Sequence, residues 1–136
     1  MIGRLDHLGL AVTSIAEARR FWEELGLTVE HVEEVPQEGV RVAMLRIGES
    51  RIELLEATSP ESPIARFVAR RGPGLHHVCL ASDDVAADDA RLRAAGCVLL
   101  RDEPTYGAGG SRVQFVHPKS TGGVLVELAQ APEEER

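Results

Sequence analysis

The chain has 136 residues, 43% hydrophobic and 27% charged, the proportions of a globular protein able to bury its own core without staples. A formal charge of −7 argues against bulk binding to nucleic acid or to an anionic membrane surface. No run reaches transmembrane or signal-peptide length, so the expected location is cytoplasmic, with no membrane partner. Cys79 and Cys97 lack metal-type spacing and sit in apolar runs, which reads as two thiols in a reducing compartment.

Taken in order, "LDHLGLAV" (5–12) alternates as a strand does. Ser14 is a helix N-cap candidate. Ile15, Ala18, Phe21, Trp22 and Leu25 then recur at three- and four-residue steps, predicting a helix that Gly26 ends as a C-cap. Strands are predicted at about 27–33, 40–47 and 50–56, the last two joined by a hairpin turn at "GES" (48–50). Pro60, Pro63 and Pro73 punctuate a linker over about 58–73, which holds a short helical piece with Ile64, Phe67 and Val68.

The next stretch repeats the first. "LHHVCLASDDVAADDARLRAAGC" (75–97) lies over "LDHLGLAVTSIAEARRFWEELGL" (5–27) without a gap, matching Leu5 with Leu75, His7 with His77, Ala11 with Ala81 and Gly26 with Gly96. Asp83 or Asp84 is the N-cap here, Gly96 the C-cap, and Val85, Ala90, Leu92 and Ala95 mark a less regular helix. Strands are predicted at 97–101, 112–117 and 122–129, with a hairpin turn at "HPKSTGG" (117–123), and "PEEER" (132–136) reads as a solvated tail. The sum is one α+β domain over 1–136, made of two βαββ(β) modules at about 3–57 and 74–131. Two such copies form a curved mixed sheet with a concavity of the kind that holds ligands.

Alternation separates the adjacent histidines of "GLHH". His77 shares a face with Cys79 and Ala81, as His7 does with Gly9 and Ala11, and His76 lies on the opposite face. The last strand of each module carries a carboxylate in an apolar setting, Glu53 in "RIELLEA" and Glu127 in "VLVELAQ". A bare carboxylate among aliphatic neighbours is costly unless a cation or donors meet it. Two His and two Glu from the two halves suit zinc, cobalt, manganese, iron or nickel. Glu56 competes with Glu53, which also has Arg51 and Arg46 as ion-pair candidates. Lys119 and Ser120, with glycine N–H groups, are candidates for substrate phosphate or carboxylate. "YGAGG" (106–110) matches no P-loop and reads as a loop over the pocket, and Arg70 and Arg71 either meet phosphates or solvate the linker.

"DHLGLAV", "IELLEATSPESPIARFV", "GPGLHHVCL" and "FVHPKSTGGVLVELAQ" together resemble the vicinal oxygen chelate superfamily and, within it, the methylmalonyl-CoA epimerases, over essentially the whole chain. The resemblance implies paired βαβββ modules, a homodimer and one divalent metal per chain. Cobalt is the expected ion, with zinc, manganese and nickel as alternatives. It implies ligands at His7, Glu53, His77 and Glu127, and an enzyme interconverting (2R)- and (2S)-methylmalonyl-CoA, a CoA thioester, through a metal-stabilised enolate. Some members carry Gln at the place of Glu53, and some carry an acidic residue, proposed as a base, where this chain has Val42. Moving a proton between two faces of C2 asks for two acid–base groups, here Glu127 and Glu53, with Glu38 in reserve. The rival readings are a glyoxalase I-like lyase, a metal-free small-molecule-binding protein on the same fold, and a dioxygenase, which a fourth ligand disfavours.

Overall fold

A computed structural model describes residues 1–133; Glu134, Glu135 and Arg136 of the acidic tail lie outside the described residues. The first module comprises β1 (Ile2–Val12), α1 (Ile15–Glu24), β2 (Val29–Val35), β3 (Val40–Ile47) and β4 (Ser50–Ala57), followed by α2 (Pro63–Arg71). The second comprises β5 (Gly74–Ser82), α3 (Val85–Ala94), β6 (Thr105–Tyr106), β7 (Arg112–Val116) and β8 (Val126–Gln130). The chain divides into two compact units, one of His7–His76, the other joining Met1–Asp6 to the chain from His77 onward. Strand order is β2–β3–β4–β1 in the first module and β6–β7–β8–β5 in the second. In each, the first strand pairs parallel with the last, and the remaining pairs are antiparallel.

The repeat holds at the level of single hydrogen bonds. α1 and α3 start and stop 70 residues apart. The Ser14 hydroxyl accepts from the Glu17 N–H at 3.2 Å, and the Asp84 carboxylate from the Ala87 N–H at 3.0 Å. At the other end Gly26 and Gly96 take φ of 92° and 88°, a left-handed step that favours glycine. The Leu27 N–H then reaches the Trp22 carbonyl and the Cys97 N–H the Leu92 carbonyl, closing a Schellman motif on each helix. Ser14→Ala should cost about 1 kcal/mol, read as a lower urea midpoint at unchanged slope.

A second shared device was not foreseen. Glu56 accepts the Ile15 N–H at 2.7 Å, and Gln130 accepts the Val85 N–H at 2.9 Å. The end of each module's last strand thereby satisfies a donor that the first turn of its helix leaves open. Glu56 also lies 3.5 Å from Arg41. It faces the helix side of the sheet, so it does not compete with Glu53.

The cores differ. Ile15, Ala43, Leu45, Ile52 and Leu54 are buried under α1, with Trp22 packed against them. Under α3 lie Val85, Val116 and Leu128, but the β7 position corresponding to Ala43 is Gln114, fully buried. Its amide donates to Asp89 at 2.7 Å and to the Arg101 carbonyl at 3.0 Å. Arg93 pairs with Asp89 at 2.6 Å and also donates to the Asp102 carbonyl at 2.9 Å. Asp88 and Asp89 are both buried, which explains the weak apolar periodicity of this helix.

Several strand expectations need correction. The strand expected at 27–33 is Val29–Val35, and that expected at 122–129 begins only at Val126. Gly122 and Gly123 hold φ of 87° and 115°, and the Thr121 hydroxyl ties back the Val124 N–H at 3.2 Å, so the turn runs longer than its sequence suggests. Segment 97–101 makes one isolated bridge, Leu99 to Val116, rather than a strand. Its pairing stops where Arg93 and Gln114 take the Arg101 carbonyl that a ladder would use. The short edge strand β6 was not expected.

Candidate functional site

In the first module, β1 and β4 run parallel with His7 opposite Arg51 and Gly9 opposite Glu53. Ile52 and Leu54 fill the core under α1, so alternation turns Glu53 and Leu55 to the other face, shared with His7. His7 and Glu53 are 5% and 4% exposed, and His7 Nδ1 lies 3.2 Å from Glu53 Oε2. Arg51, two residues before Glu53 and therefore on the same face, approaches that oxygen at 3.0 Å. Met44 is the direct cross-strand partner of Glu53, and Val42 that of Leu55. Val42 is buried and adds an aliphatic group to the same face.

The second module repeats this arrangement. β5 and β8 run parallel with Cys79 opposite Glu127, and His77 Nε2 lies 3.0 Å from Glu127 Oε1. Phe115 is the cross-strand partner of Glu127. Its ring stands edge-on to His77 at 6.0 Å, with the Arg101 guanidinium 4.9 Å over it. His76, half-buried, packs edge-on against Phe67 of α2 at 5.0 Å, away from the face that carries the glutamate.

Each module thus brings one imidazole beside one carboxylate, both withdrawn from water. His7, His77 and Glu127 are among the groups able to ligate a metal. Burying a carboxylate is expensive without positive charge or donors to meet it, and Arg51 meets Glu53 at 3.0 Å. Imidazole nitrogen with carboxylate oxygen is the donor chemistry of zinc, cobalt, manganese and nickel. The residues present therefore fit a divalent ion.

The other sequence candidates are dispersed. Lys119 and Ser120 lie in a 3-10 turn, Pro118–Ser120, between β7 and β8. The Lys119 N–H donates to His117 Nδ1 at 3.0 Å, and the Ser120 hydroxyl accepts the Val98 N–H at 2.9 Å. Residues 107–111 form the tight turn of the β6–β7 hairpin, closed by the Gly107 N–H on the Ser111 carbonyl, which leaves no phosphate-loop geometry. Glu38 is half-buried in a 3-10 turn, Pro36–Glu38. Arg70 and Arg71 are exposed at the end of α2, with Arg71 5.8 Å from the Phe67 ring. Sequence reasoning gave no part to Met44, Phe115 or Arg101. The first two stand on neighbouring strands, opposite the glutamates, and only the register between strands puts them there.

A βαβββ module repeated in tandem, with a His on its first strand and a Glu on its last, defines a class. The model of the Glyoxalase/Bleomycin resistance protein/Dioxygenase superfamily matches residues 6–115. Methylmalonyl-CoA epimerase of Mus musculus is 39% identical over 96% of this chain and 74% of its own length. Ethylmalonyl-CoA/methylmalonyl-CoA epimerase of Cereibacter sphaeroides is 41% identical over 96% of this chain and 99% of its own. Among solved structures, a variant of Streptomyces coelicolor methylmalonyl-CoA epimerase in complex with 2-nitronate-propionyl-CoA is 38% identical, with TM-score 0.93, covering 98% of this chain and 97% of that one. The chain belongs to the methylmalonyl-CoA epimerase family of this superfamily.

Proposed function

We propose that this chain interconverts (2R)- and (2S)-methylmalonyl-CoA at one divalent metal site formed by His7, Glu53, His77 and Glu127. The observation that carries the reading is the duplicated pair. Glu53 lies opposite Gly9 and Glu127 opposite Cys79, and Gly9 and Cys79 are themselves equivalent positions 70 apart; each glutamate lies beside its module's histidine. Cobalt is the expected ion, with zinc, manganese and nickel as alternatives; any of them would supply Lewis-acid stabilisation of the charge left on the substrate when the C2 proton leaves.

The remaining chemistry belongs to side chains. The C2 hydrogen of methylmalonyl-CoA is acidified by the thioester and the neighbouring carboxylate. A Glu127 carboxylate oxygen takes this proton from one face, and Glu53 returns one to the other, so configuration inverts with no net change in composition. Arg51 holds Glu53 in place. Lys119 and Ser120 contact the phosphate or carboxylate groups of the substrate. The enzyme works in the cytoplasm as a homodimer, consistent with two cysteine thiols and with exposed Ile2 and Leu5 on β1. No helix of the described residues is long and apolar enough to cross a membrane.

Purified protein should contain metal and should drive deuterium from D₂O into C2 of methylmalonyl-CoA, followed by NMR. Bound metal without uptake sinks the epimerase reading, and absence of metal sinks the site. His77→Ala should lose the ion while His76→Ala keeps it, measured by elemental analysis; the reverse pattern would mean that the β5 register is wrong.

A further inference from the structure

The duplicated modules surround their glutamates differently. Directly across the strand from Glu127 stands Phe115, held by Arg101 over its ring and by the edge contact with His77. Directly across from Glu53 stands Met44, half-buried, with buried Val42 and Leu55 as the next cross-strand pair on the same face. One glutamate is therefore backed by a rigid aromatic ring fixed on two sides. The other is backed by an unbranched thioether whose three rotatable bonds let it reshape around a neighbour.

A substrate exchanging the proton at C2 must place its C2 alkyl group against some apolar surface beside a proton-carrying carboxylate. Phe115 has little freedom to make room. Met44, flanked by Val42 and Leu55, offers both apolar area and the freedom to yield. We propose that Met44 is the specificity-determining residue for the C2 substituent, the side chain that sets how large an alkyl group is accepted beside Glu53. The inference rests on the epimerase reading. Val42 contributes in the same way, since a side chain without charge at that place leaves the floor beneath the alkyl group apolar.

The arithmetic is that of a hydrophobic pocket, where one methylene shifts kcat/KM by roughly 10- to 200-fold when the wall cannot move, and by much less when it can. Wild-type enzyme should therefore accept the ethyl thioester with kcat/KM within about 10-fold of the methyl one. Met44→Phe should retain methylmalonyl-CoA turnover and lower the ethyl-to-methyl ratio by at least about 10-fold. Met44→Ala should raise that ratio and extend turnover to the propylmalonyl thioester, and it stands in for Met44→Phe should the larger side chain fail to fold. Phe115→Leu should leave the ratio unchanged.

The measurement is deuterium uptake at C2 of each thioester under the same metal loading. Wild-type protein inactive on methylmalonyl-CoA overturns the epimerase reading together with this inference. An active wild type whose ratio ignores Met44, or follows Phe115 instead, overturns this inference alone.

Discussion

Replacing Glu127 with Gln should lower C2 proton exchange by about 10²- to 10⁴-fold, the size expected when a positioned acid–base group is removed. The substitution keeps the shape of the side chain and an oxygen that can face His77, 3.0 Å from the present carboxylate. Glu127 is flanked in sequence by Val126 and Leu128, and a neutral amide is less costly to desolvate there than a carboxylate. Folding should therefore be preserved, with a melting curve close to wild type. Deuterium uptake by the metal-loaded variant is the deciding measurement, and full exchange would remove Glu127 from the proton path. Glu53→Gln should lose less. Arg51 already neutralises part of Glu53 from 3.0 Å, and the family resemblance implies that Gln occupies this place in some members.

The largest effect on stability should come from Asp89. Asp89→Ala leaves the buried Gln114 amide and the Arg93 guanidinium without the carboxylate they share, a loss of about 3 kcal/mol visible in the urea midpoint. Changing Asp89 and Gln114 together to Leu should recover much of it, because apolar groups of similar size tolerate burial where a half-satisfied polar network does not. Acid supplies an independent test. Burial pushes the Asp89 carboxyl upward, but hydrogen bonds from Arg93 and Gln114 outweigh it and hold the group below its ordinary value. A carboxyl depressed in the folded state contributes its full stabilisation above the unfolded pKa. That contribution is lost as pH falls from there through the folded value. Asp89→Asn should flatten this part of the acid limb; an unaltered limb would show that other carboxylates control acid unfolding.

Much of this was legible because duplication let one half check the other. The Ser14 and Asp84 caps, the Gly26 and Gly96 stops, and the faces of His7 and His77 follow from local rules applied twice to sequences 70 apart. What escaped depended on contacts between distant residues. Gln114 in β7 reads as an outward polar residue until Asp89 and Arg93 are known to lie beneath it. The failed strand at 97–101 has suitable residues, but its ladder ends on side-chain donors that no window of sequence contains. Glu56 looked like a ligand because its partner, the first N–H of a helix, lies 41 residues away. Across the site, alternation found the two imidazole–carboxylate pairs. It did not reveal that their apolar backing differs, because register between strands, not order within them, sets which residue stands opposite each glutamate.

The bonds from Glu56 to Ile15 and from Gln130 to Val85 have a kinetic meaning. They span 41 and 45 residues, so the start of each helix gains its acceptor only when the module's final strand arrives. A ten-residue helix is marginal in water by itself. α1 and α3 should therefore form late, together with β4 and β8, and folding should be governed by slow, non-local closure rather than by early local helix. A truncated chain lacking β8 should lose helical signal as well as strand, because a strand synthesised some forty residues later completes the first turn of the helix.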